Sequence, residues 1–156
     1  MEENGTKMTE CSSNPIIDEW LGRLQAAGYR LTAPRKAVVE TIATSQHVLS
    51  PQEMYEQARE RYPALGLVTV YRTVEKLDEL GLIQRVHQPS GCHAYIPAAP
   101  GHQHLLICQS CGRAEYFSGD RLDALMEEVA GESGFQIQDH WLQLFGKCRD
   151  CGVNFS

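Results

Sequence analysis

The clearest indication of the fold is Leu67-Val-Thr-Val-Tyr-Arg-Thr-Val-Glu-Lys-Leu-Asp-Glu-Leu-Gly81, because the spacing of apolar residues changes where this segment ends. Through this stretch apolar side chains recur every three or four residues, which predicts a helix that stops at Gly81. Beyond it, strand character is found at 82–86 and at 92–96, with the turn-forming residues 88–91 between them. A helix followed by such a hairpin is typical of a winged helix-turn-helix.

Three more helices are predicted upstream of this stretch. The first carries apolar residues at helical spacing and ends at Gly28, and the second begins near Thr32 with a proline in its first turn. The third begins at Ser50-Pro-Gln-Glu53, which offers an N-cap serine, a proline at the first helical position and a capping-box glutamate. Residues 15–96 are therefore predicted to form a winged-helix DNA-binding domain, and the polar residues 1–14 a disordered tail.

Two Cys-x-x-Cys motifs lie further along the chain, with 36 residues between them. Zinc takes four thiolates in a closed tetrahedron, and a two-residue spacer lets one tight turn present both sulfurs of a motif to one ion. Neither pair completes the shell alone, so both are predicted to hold one structural Zn²⁺. The ligands are Cys108, Cys111, Cys148 and Cys151. The alternative interpretation is two disulfides or scattered thiols.

The residues that follow Pro97-Ala-Ala-Pro-Gly101, a predicted hinge, have little apolar surface for a core of their own. Strands are expected at 105–108, 113–117 and 135–145, with a helix between the last two. Bound zinc can supply the missing folding free energy, on the order of 10 kcal/mol in small zinc modules. The predicted fold class is α+β: a winged helix-turn-helix domain and a small C-terminal α/β domain, residues 102–156, stapled by a four-cysteine zinc site.

The composition limits the classes of function. Hydrophobic content of 42% and charged content of 22% are ordinary for a soluble globular protein, and no apolar run approaches the ~20 residues that cross a bilayer. Six cysteines without an export signal indicate a reducing compartment, so we expect a cytoplasmic protein without a membrane partner. No Ser/His/Asp arrangement, phosphate loop or catalytic carboxylate pair is evident, so enzyme activity is not expected.

The net charge of −6 hides an asymmetry between the two halves of the chain. Residues 20–85 carry nine Lys and Arg against seven Asp and Glu, whereas residues 86–156 carry four against eight. The slightly basic N-terminal half is therefore compatible with double-stranded DNA as a partner.

The helix after Gly66 is the candidate for reading DNA. Its polar residues Thr69, Tyr71, Arg72 and Lys76 are expected to face away from the apolar side. Arginine can pair with guanine edges or phosphates, and Thr or Tyr can contact a thymine methyl. Phosphate contacts are expected from three further arginines: Arg30, Arg35 and Arg85. An ordinary solvated helix face is the alternative.

Histidines form a second group of candidate metal ligands. His102 and His104 lie two apart and point to the same face if they are in a strand, while His140 lies in the last predicted strand and Asp123 on the helix between. Imidazoles with a carboxylate suit iron, manganese, nickel or zinc. Another group, which includes a thiol, lies around the wing and hinge: His47, His87, Cys92 and His93. A buried thiol beside an exposed imidazole is the alternative for Cys92 and His93.

Four segments together resemble the ferric uptake regulator family over about residues 16–152. They are Tyr29-Arg-Leu-Thr-Ala-Pro-Arg35, Leu67-Val-Thr-Val-Tyr-Arg72, His102-Gln-His-Leu-Leu-Ile-Cys108 with Cys111-Gly112, and Cys148-Arg-Asp-Cys151. The resemblance implies a homodimeric, metal-dependent repressor with Tyr71 and Arg72 on its recognition helix. It implies that residues 102–156 are a dimerisation and metal-sensing domain. It also implies that the four cysteines are the structural zinc ligands.

The resemblance further divides the histidines between two family metal sites. Aligned without gaps from Cys108, one group matches the dimerisation-domain site: His102, His104, Asp123 and His140. The hinge sensor site departs from the family pattern. His47 matches the histidine ligand of the N-terminal domain. The two positions of the family's second His-x-His motif, however, are occupied by Gln103 and Leu105. The position of the family's acidic ligand is occupied by Tyr116, next to Glu115.

Cys92 lies near the position of a cysteine ligand in zinc-sensing members of the family. The implied function is a repressor of metal-uptake genes that binds a pseudo-palindromic DNA operator as a homodimer. Its cofactors would be structural Zn²⁺ and a second divalent metal, with Zn²⁺ favoured over Fe²⁺ or Mn²⁺. Sensing of iron, manganese, nickel or peroxide is the alternative within the family. Outside it, the alternatives are a Cys-x-x-Cys thiol redox switch without DNA binding and a metal-buffering or protein-interaction module.

Overall fold

A computed structural model describes residues 14–88 and 90–152 of the chain. This part is α+β and has ten elements in the order α1 (Pro15–Ala26), α2 (Ala33–Ala43), α3 (Pro51–Arg61), α4 (Leu67–Glu79), β1 (Ile83–His87), β2 (His93–Pro97), β3 (His104–Cys108), β4 (Ala114–Phe117), α5 (Asp120–Ser133) and β5 (Gln143–Gly146). The disordered tail predicted at 1–14 lies outside the described residues, except for Asn14. The Asn14 side chain accepts a hydrogen bond from the Ile16 N–H and caps α1.

The helices begin and end where the local sequence signals predict. At the start of α3 the Ser50 hydroxyl accepts from the Glu53 N–H, and the Glu53 carboxylate accepts from the Ser50 N–H, so the capping box is complete. At the end of α4, Gly81 has φ +65°, a conformation that glycine adopts without steric cost. The predicted three helices followed by a fourth are confirmed.

Helices α1 to α4 pack around an apolar core that also receives one face of the wing. The wing is the antiparallel hairpin of β1 and β2, whose register runs from Ile83↔Pro97 to His87↔His93. Each strand begins one residue later than predicted. The largest fully buried side chains of this core are Leu24, Val38, Val39, Ile42, Met54, Val70 and Leu77.

The C-terminal unit is a three-stranded sheet in the order β4-β3-β5, with β3 antiparallel to β4 and parallel to β5. The strand predicted at 135–145 is wrong for most of its length, because only Gln143–Gly146 lies alongside β3. Residues 135–139 are exposed and form no strand. His140 therefore precedes the last strand and does not lie within it.

A second apolar cluster joins the two units. Val86 and Ile96 of the wing, with Val48 from the α2–α3 connection, pack against Leu105 and Ile107 of β3. We call this contact between the winged helix and the C-terminal sheet the seam. Backbone hydrogen bonds also cross it, since the Val48 N–H donates to the Gly112 carbonyl at 2.8 Å. The segment 97–101, predicted as a hinge, thus connects two surfaces that are packed together in this structure.

Within the stretches that the structure describes, no helix has both the length and the apolar character that crossing a bilayer requires.

Candidate metal centres and nucleic-acid interface

The two Cys-x-x-Cys motifs meet because their strands are neighbours. β3 ends at Cys108 and lies in register with Gly146 at the end of β5, so the turns that follow both strands lie side by side. The four sulfur atoms lie within 4.8 Å of one another, and those of Cys111 and Cys148 are 3.8 Å apart. Zn–S bonds of ~2.3 Å give a tetrahedron whose edges are about 3.8 Å long. The geometry therefore fits four-sulfur coordination.

The electrostatics of this cluster also fit a cation. The Cys148 N–H donates to the Cys108 sulfur at 3.3 Å, and this bond is the main reason that the pKa of Cys108 is lowered to about 6. Hydrogen bonding with Cys148 raises the pKa of Cys151 to about 12. At neutral pH these four sulfurs can all be thiolates only if a cation balances them, which is the role of a bound metal.

Three imidazoles form the second cluster. His102 precedes β3, His104 begins it and His140 lies shortly before β5, and one ring nitrogen of each lies within 4.8 Å of the others. The Nε2 atoms of His102 and His140 are 2.8 Å apart. His104 is only 3% exposed, and its Nε2 has no hydrogen-bond partner among the described residues. A buried nitrogen without a partner is costly, so its position in a histidine cluster indicates a ligand.

The surroundings of His104 favour the form that binds metals. Burial is the main cause that lowers the pKa of His104, and the neighbouring His102 and His140 lower it further. The neutral imidazole is the metal-binding form. Gly119 makes room for this ring, because a Cβ at that position would overlap it.

Asp123 lies on α5, near enough for its charge to raise the pKa of His104, against the dominant effect of burial. Its carboxylate is not among the groups that lie within 4.8 Å of one another. The structure therefore brings together three of the four residues in the predicted regulatory site.

The residues predicted for the hinge site are dispersed. His87 and His93 form the last pair of the wing, with ring centroids 5.7 Å apart, and Cys92 is exposed in the preceding turn. His47 makes an isolated backbone bridge to the residue before β4, whereas Glu115 lies within β4. In the described ranges these five residues contain no group of three ligands within 4.8 Å of one another.

Residues without metal-binding side chains occupy the seam where the hinge site was predicted. Leu105 is fully buried in the second apolar cluster. Tyr116 packs against the same cluster and donates its hydroxyl to the Pro97 carbonyl at 2.6 Å. Burial raises the pKa of Tyr116 to about 12, so the phenol stays protonated and keeps this hydrogen bond. Apolar packing and this hydrogen bond thus hold the two units together at the seam.

The outer face of α4 differs in part from the predicted one. Tyr71 is 54% exposed and Arg72 is exposed, as expected. Thr69 is half-buried, and Lys76 turns aside to bind Glu79 with its ammonium at 2.9 Å.

Two residues that the sequence reasoning did not select complete this face. Val68 is 63% exposed in the first turn, and Glu75 is exposed one turn beyond Tyr71 and Arg72. The sequence contains the pattern that places them there, because positions 68, 71, 72 and 75 have the three- and four-residue spacing of a single helix face.

The three arginines expected at phosphates lie in different environments. Arg30 is exposed, and its carbonyl accepts a hydrogen bond from Arg35 Nη1 at 2.6 Å. Arg35 Nε is buried and has no partner within the described part of the chain. Arg85 is paired with Asp78 at 2.9 Å.

Comparisons with known proteins agree with these features. The sequence profile of the Ferric uptake regulator family matches residues 26–145. A zinc uptake regulation protein of Mycobacterium tuberculosis is 34% identical over 128 residues, which are 82% of this chain and 98% of that protein. A ferric uptake regulation protein of Neisseria meningitidis is 29% identical over 132 residues, which are 84% of this chain and 92% of that protein.

Among solved structures, the ferric uptake regulator of Vibrio cholerae is similar at a TM-score of 0.66 and 30% identity. The match covers 81% of this chain and 98% of the other. That crystal structure reveals a rearrangement of its DNA-binding domains.

Proposed function

This chain belongs to the ferric uptake regulator family, and we propose that it is a DNA-binding repressor of metal-uptake genes that responds to zinc. As a member of that family it is a metal-responsive regulator and not an enzyme. The observation that carries the proposal is the three-imidazole cluster with the buried, unpartnered Nε2 of His104. It lies apart from the four-sulfur cluster, so the chain has one candidate centre for structure and another for regulation.

The two centres would serve different roles because their ligands differ. Four cysteines close a tetrahedral shell, which suits a structural Zn²⁺ that is not exchanged. Three imidazoles, with Asp123 as a proposed fourth ligand, form a shell with no thiolate, which suits a metal that is exchanged with the cytoplasm. When bound, the second metal supplies a link that fixes the imidazoles of His102, His104 and His140 in one arrangement.

Zinc is favoured for the second site by its affinity for imidazole and by the 34% identity to a zinc uptake regulation protein. Iron or manganese is the alternative, since the same ligands suit both. The dispersed hinge residues His47, His87, Cys92, His93 and Glu115 remain a proposed set whose ligation would require a different arrangement of wing and hinge.

Cobalt(II) substitution distinguishes the three-imidazole site from a labile site that contains Cys92. After mild chelation that leaves the four-cysteine site filled, the parent and Cys92→Ser are titrated with cobalt without oxygen. Tetrahedral ligation by imidazoles gives visible bands without a sulfur charge-transfer band, and Cys92→Ser leaves the spectrum unchanged. A charge-transfer band that Cys92→Ser removes would place Cys92 in the labile site and contradict the three-imidazole assignment.

We propose DNA binding through the exposed face of α4. Arg72 can pair with a guanine edge and Tyr71 can contact a thymine methyl, and the exposed first turn can enter the major groove. The proposed contacts to bases and phosphates are Thr69, Tyr71, Arg72, Lys76, Arg30 and Arg35. Lys76 would have to leave Glu79 to reach a phosphate, so its contribution should be smaller than that of Arg72.

A homodimer is supported by the apolar surface that the C-terminal unit leaves open. None of residues 121–133 in α5 is buried, and Leu125 and Val129 are 48% and 42% exposed on one side of that helix. Leu106 and Leu144, which are paired across β3 and β5, are also exposed. A second copy that covers this surface would set two recognition helices side by side, as a pseudo-palindromic operator requires.

The proposed mechanism is a population shift between dimers that fit the operator and dimers that do not. Differential binding of metal to the two forms would shift the equilibrium by about 1–3 kcal/mol per site. The imidazole cluster lies at the start of β3, next to the seam, so ordering its three side chains can favour one arrangement of the wing.

The test begins with selection of DNA from a random duplex library by zinc-loaded protein, followed by anisotropy titration of the selected duplex. Removal of the labile metal, with the four-cysteine site kept filled, should weaken binding about 10- to 100-fold. Arg72→Ala should weaken binding of the loaded protein by about 1–3 kcal/mol. Arg149→Ala makes the same charge change in the C-terminal unit and should have little effect. Equal affinity with and without labile metal contradicts the proposal.

A further inference from the structure

Gln143, at the start of β5, bonds to the open edge of the wing. Its Nε2 donates to the Arg85 carbonyl at 3.2 Å, and its Oε1 accepts from the His87 N–H at 3.1 Å. A neighbouring strand residue would make the same two bonds to these groups. The Gln143 side chain therefore pairs with the open edge of β1 as a backbone amide would, and it joins the C-terminal unit to the wing.

The pairing of the hairpin explains why these groups are open. The Ala98 N–H donates to the Leu82 carbonyl, and the Gln88 N–H donates to the Cys92 carbonyl, so even-numbered residues of this strand bond to the opposite one. Backbone groups alternate in direction along a strand, so those of Arg85 and His87 point to the other edge.

Trp141 makes a second contact with the same part of the wing. Its ring meets the His87 ring edge-on, with centroids 4.3 Å apart and an interplanar angle of 79°. Trp141 is 59% exposed, so this ring contact lies at the surface of the molecule. Two residues of the segment 140–143 thus hold the end of β1, one through its amide and one through its ring.

The other end of this segment belongs to the imidazole cluster. His140 directly precedes Trp141, and its Nε2 lies 2.8 Å from that of His102. Between the two ends, the Leu142 carbonyl accepts from the Leu105 N–H of β3 at 3.3 Å. The segment is therefore attached at the cluster, at β3 and at the wing within four residues.

We infer that residues 140–143 couple the imidazole site to the wing, with Gln143 and Trp141 as the positioning residues that transmit its state to the DNA-binding unit. This inference rests on the proposed function. It explains how the three-imidazole site can act although Leu105 and Tyr116 fill the seam where the hinge ligands were predicted. Ordering of His140 fixes the start of the segment, and the amide of Gln143 then holds the edge of β1 in one position.

Hydrogen exchange of single amides tests this coupling without DNA. In the parent with its four-cysteine site filled, addition of zinc should slow exchange of the His87 N–H, which bonds to Gln143, by at least about threefold. The Val86 N–H faces the other edge and should change less. Gln143→Leu has a similar size but no hydrogen-bonding groups, and it should abolish the effect at His87 while its zinc affinity stays within about twofold.

Gln143→Glu provides the matched control, since its carboxylate can still accept from the His87 N–H but cannot donate to Arg85. It should keep most of the zinc effect at His87, and Trp141→Phe should keep more of it than Trp141→Leu. In titrations with the selected duplex, Gln143→Leu should reduce the ratio of affinities with and without labile zinc from at least tenfold to below about threefold.

Two outcomes separate this inference from the proposed function. If Gln143→Leu keeps both the parent's zinc effect at His87 and its zinc-dependent DNA affinity, the coupling is wrong and the proposed function stands. If the parent binds no labile zinc, or if its DNA affinity does not respond to zinc, the proposed function fails and the inference fails with it.

Discussion

The winged helix and the C-terminal unit bury their apolar side chains to different extents. In the first, four helices and the wing enclose a core with several fully buried side chains, such as Leu24, Met54 and Leu77. In the second, α5 buries none of residues 121–133, and the main buried apolar side chains of β3 pack against the wing. One unit is closed by its own apolar residues, whereas the other depends on a metal, a neighbour or a second copy.

This difference determines where regulation can act. A unit with a complete core keeps its fold when ligands leave, since its stability comes from buried apolar surface. A unit that depends on bound metal and on an interface changes its stability with metal concentration and assembly state. The chain thus places its candidate metal centres in the unit whose fold can respond to them.

Loss of the four-sulfur site should have the largest effect and should affect the two units unequally. Cys148→Ser removes one of four thiolates, and the metal contributes on the order of 10 kcal/mol in small zinc modules. We expect loss of the tightly bound zinc and of amide protection in β3 and β5, while α1 to α4 stay protected. Metal analysis and hydrogen exchange measure both. Cys92 is an exposed cysteine of the wing, so Cys92→Ser should retain the zinc. If Cys148→Ser also retains it, the C-terminal unit does not depend on the four-sulfur site as proposed.

A cavity in the winged helix should destabilise that unit and leave the zinc site of the C-terminal unit intact. Leu77 is fully buried on the apolar face of α4, and Leu→Ala at such sites costs about 2–5 kcal/mol. Leu77→Ala should lower the urea midpoint of the helical signal and leave one tightly bound zinc per chain. Val68→Ala lies on the exposed face of the same helix and should change stability by about 0.5 kcal/mol or less. Equal effects of the two substitutions would show that this core does not stabilise the unit.

A charge on the exposed side of α5 should separate the subunits. Leu125→Asp places a carboxylate in the surface that we propose the second copy covers, and burying it unpaired is unfavourable. Sedimentation should show a dimer dissociation constant raised by at least about tenfold, with the four-cysteine zinc retained. Glu127→Ala lies on the opposite side of α5 and should leave the dimer intact. An unchanged dimer in Leu125→Asp would require a different interface.

The smallest predicted effect is on the pH dependence of stability. Burial lowers the pKa of His104 in the folded chain, so the unfolded chain binds the proton more readily. Stability from this group is complete above its unfolded pKa, about 6.5, and is lost as the pH falls from there through the lowered folded pKa. Without labile metal, the urea midpoint of the parent should fall more between pH 7 and pH 5 than that of His104→Gln. Parallel pH profiles would contradict this prediction.

The fold of the winged helix could be predicted from sequence because its signals are local. The capping box at Ser50, the apolar spacing of α4 and the stop at Gly81 each act within a few residues of the chain. The spacing of the four cysteines is similarly local within each motif, and two motifs that each supply two ligands leave few ways to complete a tetrahedron.

The remainder depends on contacts that the sequence does not display. The strand predicted at 135–145 is limited by the length of its neighbour β3, so His140 lies outside it. The bonds from Gln143 to the wing join residues that are 56 and 58 positions apart, and a glutamine gives no signal of such a partner. Tyr116 and Leu105 were found at expected hinge-ligand positions, but their packing in the seam follows only from the assembled fold.

The most direct test of the account is the zinc affinity of the three-imidazole site in the presence and absence of the selected DNA duplex. By linkage, DNA must tighten zinc binding by the same factor by which zinc tightens DNA binding. Competition with a chelator should give about 10- to 100-fold tighter zinc binding in the complex for the parent, and His140→Gln should lose most of this gain. If zinc binds the parent equally well with and without the duplex, the three-imidazole site does not control DNA binding.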